Sequence, residues 1–247
     1  MNNTYKLDHR IKYSEADSNY KLRLDHIISH FQDITGLHSN EMGIDGKTML
    51  EKSNAFWVLT KVKLKINALP CFDETVEIET WPLPSKGVRF KRDYAISKDG
   101  KRLVSGSSEW CTLDFTDRKP RRVDSVCYPH DMLHREDPSG AGEFLRVKET
   151  LDDSDYNHTY RSSFVDIDTN KHTNNIAYLR MILNCFSPEE FEKLEIDEFQ
   201  IHFLSQTFYG DEVAVYKKKT DNGFYIEGRL KEKSVFNCVI TLKDEGR

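Results

Sequence analysis

The sequence predicts an α+β protein made of two copies of one unit, each a long helix enclosed by a curved antiparallel sheet. Three observations predict it. Helical apolar periodicity occurs once in each half, and each time four strand-like runs follow it. A polar motif recurs in register, Asp168 standing 151 residues after Asp17. One helix per half is too few for the crossovers that a parallel sheet requires.

The first half opens with an alternating run at 5–13. A helix is expected from Leu24, where Leu24, Ile27, Ile28, Phe31 and Ile34 recur at steps of three and four, as one buried face demands. Strand-like runs follow at 55–66, 74–80, 88–97 and 102–115, and Lys98-Asp99-Gly100-Lys101 reads as a hairpin turn. Glu136-Asp137-Pro138-Ser139-Gly140-Ala141-Gly142-Glu143 places one Pro and two Gly within eight residues and reads as the break between domains. The expected division is a domain over 1–136, a linker over 137–155 and a domain over 156–247. The second half has a short run at 159–165 and a helix at 175–186, with Ile176, Leu179, Ile182, Leu183 and Phe186 on its apolar face. Runs at 199–204, 211–217, 224–231 and 234–242 complete it, with Asp221-Asn222-Gly223 as a hairpin signal.

The repeat is visible residue by residue. Asp17-Ser18-Asn19-Tyr20-Lys21-Leu22 precedes the first helix, and Asp168-Thr169-Asn170-Lys171-His172-Thr173 precedes the second. Further on, Phe72-Asp73-Glu74-Thr75-Val76 echoes Tyr209-Gly210-Asp211-Glu212-Val213.

Composition narrows the function classes. Hydrophobic residues make up 38% of the 247 and aromatics 11%, enough to fill a core and to exclude global disorder. Lys and Arg number 36 against 41 Asp and Glu; a net charge of −5 argues against a protein that lives on nucleic-acid phosphate. No apolar run approaches the ~20 residues that cross a bilayer, and the opening residues have no apolar stretch of the signal-peptide kind. Cys71, Cys111, Cys127, Cys185 and Cys238 are odd in number, widely spaced and lack a CxxC pair. Reduced thiols in a cytoplasm are therefore expected, with no metal and no disulfide framework.

The densest cluster of chemically capable groups is Asp166 to Asn175, in a loop that enters a helix. Two readings stand side by side. Asp, Asn and Thr commonly cap helices and shape turns. Against that commonest use, a helix N-terminus offers free N–H groups and a dipole that favours developing negative charge. Calcium binding fails, because Lys171 replaces the Gly and Ala177 the Glu of an EF-hand loop. Lys21 occupies the position in the first copy that His172 occupies in the second. Imidazole titrates near neutrality and lysine does not, so only the second copy could hold a general base at pH 7. Basic residues gather at Lys86, Arg89, Lys91 and Arg92, and again over 118–122. They read either as solvated faces or as a dock for an acidic partner.

The run from Asp166 through Asp168, Asn170 and His172 to Tyr178, followed by Ile201 to Val213, resembles the catalytic half of acyl-ACP thioesterases, which are tandem hotdog-fold enzymes. Tyr13-Ser14-Glu15-Ala16-Asp17, Thr80-Trp81-Pro82, the segment from Lys86 to Asp93, Ser108-Glu109-Trp110 and the 118–122 stretch resemble the family's first half. The resemblance implies a double hotdog whose first domain binds the acyl chain and whose second is catalytic. It implies hydrolysis of a fatty acyl thioester on acyl carrier protein, releasing fatty acid and holo carrier without a cofactor. Asp168, Asn170 and His172 match the catalytic trio. His172 would deprotonate water, Asn170 would orient water or carbonyl, and Asp168 would fix a partner or act as nucleophile. First-turn N–H groups at Asn174 and Asn175 would stabilise the oxyanion, and Lys86, Arg89, Lys91 and Arg92 would dock the carrier. Gln206 stands where the family often has Glu; it can orient but cannot accept a proton. An acyl-CoA thioesterase and a non-catalytic acyl-binding hotdog protein are the alternatives, as a monomer or a homodimer.

Overall fold

The computed structural model describes residues 3–129, 138–146 and 148–243, so Glu136 and Asp137 of the expected domain break lie outside the described residues. Contacts divide the chain into two units, Met1–Gly142 and Glu143–Arg247.

In the first unit β1 (Tyr5–Arg10) leads through a 3-10 turn at Tyr13–Glu15 to α1 (Leu24–Glu41). The apolar stripe read from the sequence is the buried face: Leu24, Ile27, Ile28, Phe31 and Ile34 are all closed to solvent. The sheet runs β1-β3-β4-β5-β2, antiparallel throughout, with β2 at Ala55–Ile66, β3 at Thr75–Lys86, β4 at Arg89–Lys98 and β5 at Lys101–Asp114. A two-residue β6 (Pro120–Arg121) pairs with the end of β5. Helix and sheet interlock at Phe31, which stacks on Tyr94 at 4.4 Å. A side chain at Gly106 would collide with that same ring, so glycine is required where β5 crosses α1. Asp99 and Gly100 both have positive φ, 49° and 74°, the backbone of a tight hairpin turn between β4 and β5.

Beside the two-residue β6 and a short helix at Pro188–Phe191, one longer element was not expected from the sequence. α2 (Gly46–Ser53) is capped by Asp45, whose carboxylate accepts from Lys47 N at 3.0 Å and Thr48 N at 3.2 Å. Its buried Met49 joins Met42, Ile44 and Phe90 in a second apolar cluster. Eight residues with one buried apolar position give too little periodicity to register in a sequence pattern.

The second unit repeats the order. β7 (Tyr156–Arg161) is followed by a 3-10 turn at Phe164–Asp166, then α3 (Asn175–Leu183) and a short α4 (Pro188–Phe191). Its sheet runs β8-β11-β10-β9-β7, with β8 at Ile196–Phe203, β9 at Glu212–Thr220, β10 at Gly223–Leu230 and β11 at Lys233–Leu242. The strand expected at 159–165 begins three residues earlier and ends at Arg161. The Asp166 carboxylate takes the Ser163 N–H at 2.9 Å and its hydroxyl at 2.8 Å, which folds the chain into a turn and leaves Phe164 and Val165 exposed. α3 lays Tyr178 edge-on to Phe203 and Phe236, both at 5.8 Å, and so covers its sheet. Among the described residues no helix is long and apolar enough to cross a membrane.

Candidate active site

The motif loop is built by Asp168. Its Oδ1 accepts the backbone N–H of Asn170 at 2.8 Å and of His172 at 3.2 Å, while its own N–H donates to the His172 carbonyl at 2.9 Å. Lys171 takes φ 63° to close the turn. The first unit does the same with Asp17, which accepts from Asn19 N at 2.8 Å and Lys21 N at 2.9 Å around Tyr20 at φ 60°. The sequence repeat is thus a repeat of one loop conformation, and the aspartate is needed in both copies to hold it. The turn-forming reading of Asp168 is met in full by this geometry.

What differs is the side chain presented. His172 is half-buried and meets the Phe208 ring edge-on at 5.2 Å, while Asn170 is exposed. The next residue, Thr173, donates its N–H to the Thr207 carbonyl at 2.9 Å, so the loop lies along the segment that carries Gln206. That segment is held from α3. Tyr178 accepts the Thr207 N–H at 3.0 Å and donates to the Ser205 carbonyl at 3.3 Å, bracketing Gln206, whose side chain is exposed. Burial pushes the Tyr178 phenol up, so it remains a neutral hydroxyl. Gly210 turns the chain at φ 85°, and Asp211 takes the Phe208 N–H at 2.8 Å, which gives the Tyr-Gly-Asp-Glu-Val run its structural purpose.

Below the loop sits an anchor that the sequence reading did not single out. Asp166, 1% exposed, accepts the Tyr160 hydroxyl at 2.9 Å and faces Arg180 at 3.3 Å in addition to its bonds from Ser163. Burial alone would raise this carboxyl; the Ser163 and Tyr160 hydrogen bonds and the Arg180 charge outweigh it and hold it below the usual carboxylate range.

Two expected roles require correction. The Asn174 N–H is not available to an oxyanion, because it donates to the Asp166 carbonyl at 2.7 Å; Asn174 instead caps α3, its side chain accepting from Ile176 N at 2.9 Å. Ala177 N is also taken, by the Asn174 carbonyl at 2.9 Å. Among the described residues, the Asn175 N–H of that first turn has no hydrogen-bond partner. Arg92 is likewise no carrier contact. It points inward from β4 and is buried, with Nη1 2.9 Å from His38 Nδ1 and 3.2 Å from Thr80 Oγ1. Lys86 and Arg89 are exposed and Lys91 half-buried, so three of the four basic residues remain at the surface. The second basic cluster is spent locally: Lys119 pairs with Asp117 at 3.0 Å, Arg121 with Asp114 at 3.0 Å and Arg122 with Asp124 at 3.1 Å.

Metal-ligating side chains gather elsewhere. Among the described residues the one such group is His9, Glu15 and His30 in the first unit.

Comparison with known proteins accounts for nearly all of the chain. Residues 2–129 match the model of the acyl-ACP thioesterase N-terminal domain, and residues 149–245 that of the C-terminal domain. A chloroplastic palmitoyl-acyl carrier protein thioesterase of Cuphea hookeriana is 24% identical over 219 residues, covering 81% of this chain and 51% of the relative. An oleoyl-acyl carrier protein thioesterase of Arabidopsis thaliana is 22% identical over 225 residues, covering 85% and 62%. The chain thus spans about half the length of the first of these relatives. Among solved structures, an acyl-ACP thioesterase of Bacteroides thetaiotaomicron superposes with a TM-score of 0.86 at 23% identity, covering 98% of both chains. The 12:0-ACP thioesterase of Umbellularia californica gives 0.84 at 15%, again over 98% of each. These structural matches show the fold to be the α+β double hotdog.

Proposed function

Because the chain belongs to the acyl-ACP thioesterase family, we propose that it hydrolyses the thioester of a fatty acyl group carried on acyl carrier protein, releasing free fatty acid and the holo carrier. The reading rests chiefly on His172: of two loops with one conformation, only that of the second unit ends in an imidazole, beside the N-terminus of α3. His172 takes a proton from water as the oxygen attacks the thioester carbonyl, and gives it to the carrier's thiol sulfur as the C–S bond breaks. Asn170 orients the water or the carbonyl. The Asn175 N–H, at the positive end of α3, meets the oxyanion. Asp168 sets the loop, and Gln206 orients by hydrogen bonding without accepting a proton. Water is the second substrate, so the reaction calls for no cofactor.

In this proposal the second domain is catalytic, the first receives the acyl chain, and Lys86, Arg89 and Lys91 steer the acidic carrier to the site. The cytoplasm is the proposed location. The test is release of thiol from acyl-ACP and from the matching acyl-CoA, assayed side by side. A higher kcat/KM on acyl-ACP is expected; the reverse order would make the protein an acyl-CoA thioesterase, and no release from either would make it a binder.

A further inference from the structure

The Glu15 corner of the first unit holds donors that hydrolysis leaves unused. Glu15 closes the 3-10 turn at Tyr13–Glu15 with its side chain 8% exposed. Its Oε2 lies 2.8 Å from His9 Nε2 on β1 and 3.7 Å from His30 Nε2 on α1, and also accepts the Lys12 N–H at 2.9 Å. The two imidazoles approach to 4.3 Å between centroids, and the donor atoms of all three residues lie within 4.8 Å of one another. His30 Nε2 is buried with no hydrogen-bond partner. A buried nitrogen without a hydrogen bond, set beside a buried carboxylate, calls for an explanation.

The second unit shows what the corner requires. At the same 151-residue offset, His9 and Glu15 become Tyr160 and Asp166. There the buried carboxylate is balanced by a cation, the Arg180 guanidinium at 3.3 Å, carried on α3. In the first unit α1 brings an imidazole to the carboxylate instead.

We propose that His9, Glu15 and His30 form a site for a divalent transition metal, of the two-histidine, one-carboxylate class that suits zinc. A tetrahedral zinc with bonds of about 2.0–2.1 Å sets its donor atoms about 3.3–3.5 Å apart. The separations of 2.8 and 3.7 Å to the carboxylate reach that value with small side-chain adjustments. The fourth position falls to water. Bound there, the metal ties β1, the 3-10 turn and α1 together beneath the Asp17 loop, as Arg180 ties the equivalent elements beneath the Asp168 loop. Its role is structural, and it stands independently of the hydrolase reading.

The experiment is titration of the 247-residue chain, stripped with a chelator, using cobalt(II) as a visible reporter and zinc as competitor. One equivalent of cobalt is expected to bind with the d–d absorption of a four- or five-coordinate site, and zinc to displace it. Zinc should also raise Tm. His9→Gln and His30→Gln, which keep side-chain bulk, should each weaken binding by about 100-fold or more and abolish the zinc-dependent rise in Tm. If either variant fails to fold, the stoichiometry and Tm response of the unsubstituted protein decide. The proposal is overturned if no saturable uptake occurs at one equivalent, or if both folded variants bind as tightly as the parent.

Discussion

The Tyr178 hydroxyl accepts the Thr207 N–H at 3.0 Å, so the helix that follows the His172 loop also fixes the segment bearing Gln206. α3 therefore serves both sides of the candidate site. Its N-terminus follows the His172 loop, and its interior face holds the Ser205–Thr207 segment through one phenol. The Thr207 hydroxyl, 3.0 Å from the same oxygen, adds a second contact.

Tyr178→Phe removes this tie while keeping the ring packing on Phe203 and Phe236. It leaves a buried N–H unpaired, at about 1–3 kcal/mol. A fall of about tenfold in kcat with little change in KM is expected, because the segment is displaced and the acyl chain still binds. Steady-state kinetics beside urea unfolding check it. A loss confined to stability would place Gln206 outside the reaction.

Asp168 and His172 divide by a second comparison. An asparagine at 168 still offers an oxygen to the Asn170 and His172 N–H groups, so Asp168→Asn should unfold within about 0.5 kcal/mol of wild type, whereas Asp168→Ala should lose about 1–2 kcal/mol. His172→Ala should leave the loop intact, since only its backbone is bonded there, and lower kcat by roughly 10²–10⁴. Urea titrations and single-turnover rates on acyl-ACP give the readings; unchanged turnover in His172→Ala would move the base elsewhere.

Asp166 predicts a pH dependence of stability. Its carboxyl is held below the usual range in the folded protein, so the stabilisation is fully present above the unfolded value of about 3.9 and is lost as pH falls through the folded value. Asp166→Asn should therefore be less stable than wild type by roughly 1.5–3 kcal/mol at pH 7, the range for hydrogen bonds to a charged group, and the gap should shrink toward about pH 2. Denaturant unfolding at both pH values measures it. A gap that stays constant would mean that the carboxylate charge is irrelevant to the anchor.

The parts legible in the sequence are those fixed by neighbours along the chain. The α1 stripe from Leu24 to Ile34 and the Asp99-Gly100 turn depend on local periodicity and backbone preference, and both form as read. The loop repeat was legible because the Asp17 and Asp168 carboxylates, among the described residues, bond within their own motifs. What stayed hidden depends on partners that no helical or strand period predicts. Arg92 reads as one more surface cation, yet strand alternation sets it on the inward face with Phe90 and Tyr94, where His38 meets it. The Asn174 N–H reads as free at a helix start until the turn at Asp166 brings a carbonyl to it. His9, Glu15 and His30 have no metal-motif spacing and meet only because α1 packs beside β1.

That hidden burial reshapes the carrier test. Arg92→Glu would set a carboxylate among His38, Thr80 and Met42 and should destabilise the first unit by about 3–5 kcal/mol, whatever its effect on binding. The informative pair is Lys86→Glu with Arg89→Glu, both exposed. Together they should raise KM for acyl-ACP several-fold at low salt and less at high salt, with unchanged Tm and little change on a short acyl-CoA. Equal losses on both substrates would remove these residues from carrier recognition.

Gln206 gives the sharpest reading of the chemistry. Its side chain is exposed, and the backbone on either side is pinned at Ser205 and Thr207 by Tyr178. A substitution there should change stability by no more than about 0.5 kcal/mol, so any change in rate belongs to the reaction. If the amide only orients water or the imidazole, Gln206→Ala should lower kcat, and Gln206→Glu should match or exceed wild type, because a carboxylate accepts the same hydrogen bonds and can also take a proton. Rates on one acyl-ACP across the three proteins, with Tm as the control, test the assignment. A wild type with no turnover beside an active Gln206→Glu would instead identify a binder that has lost its base, and equal rates in all three would leave His172 to act without help from this strand.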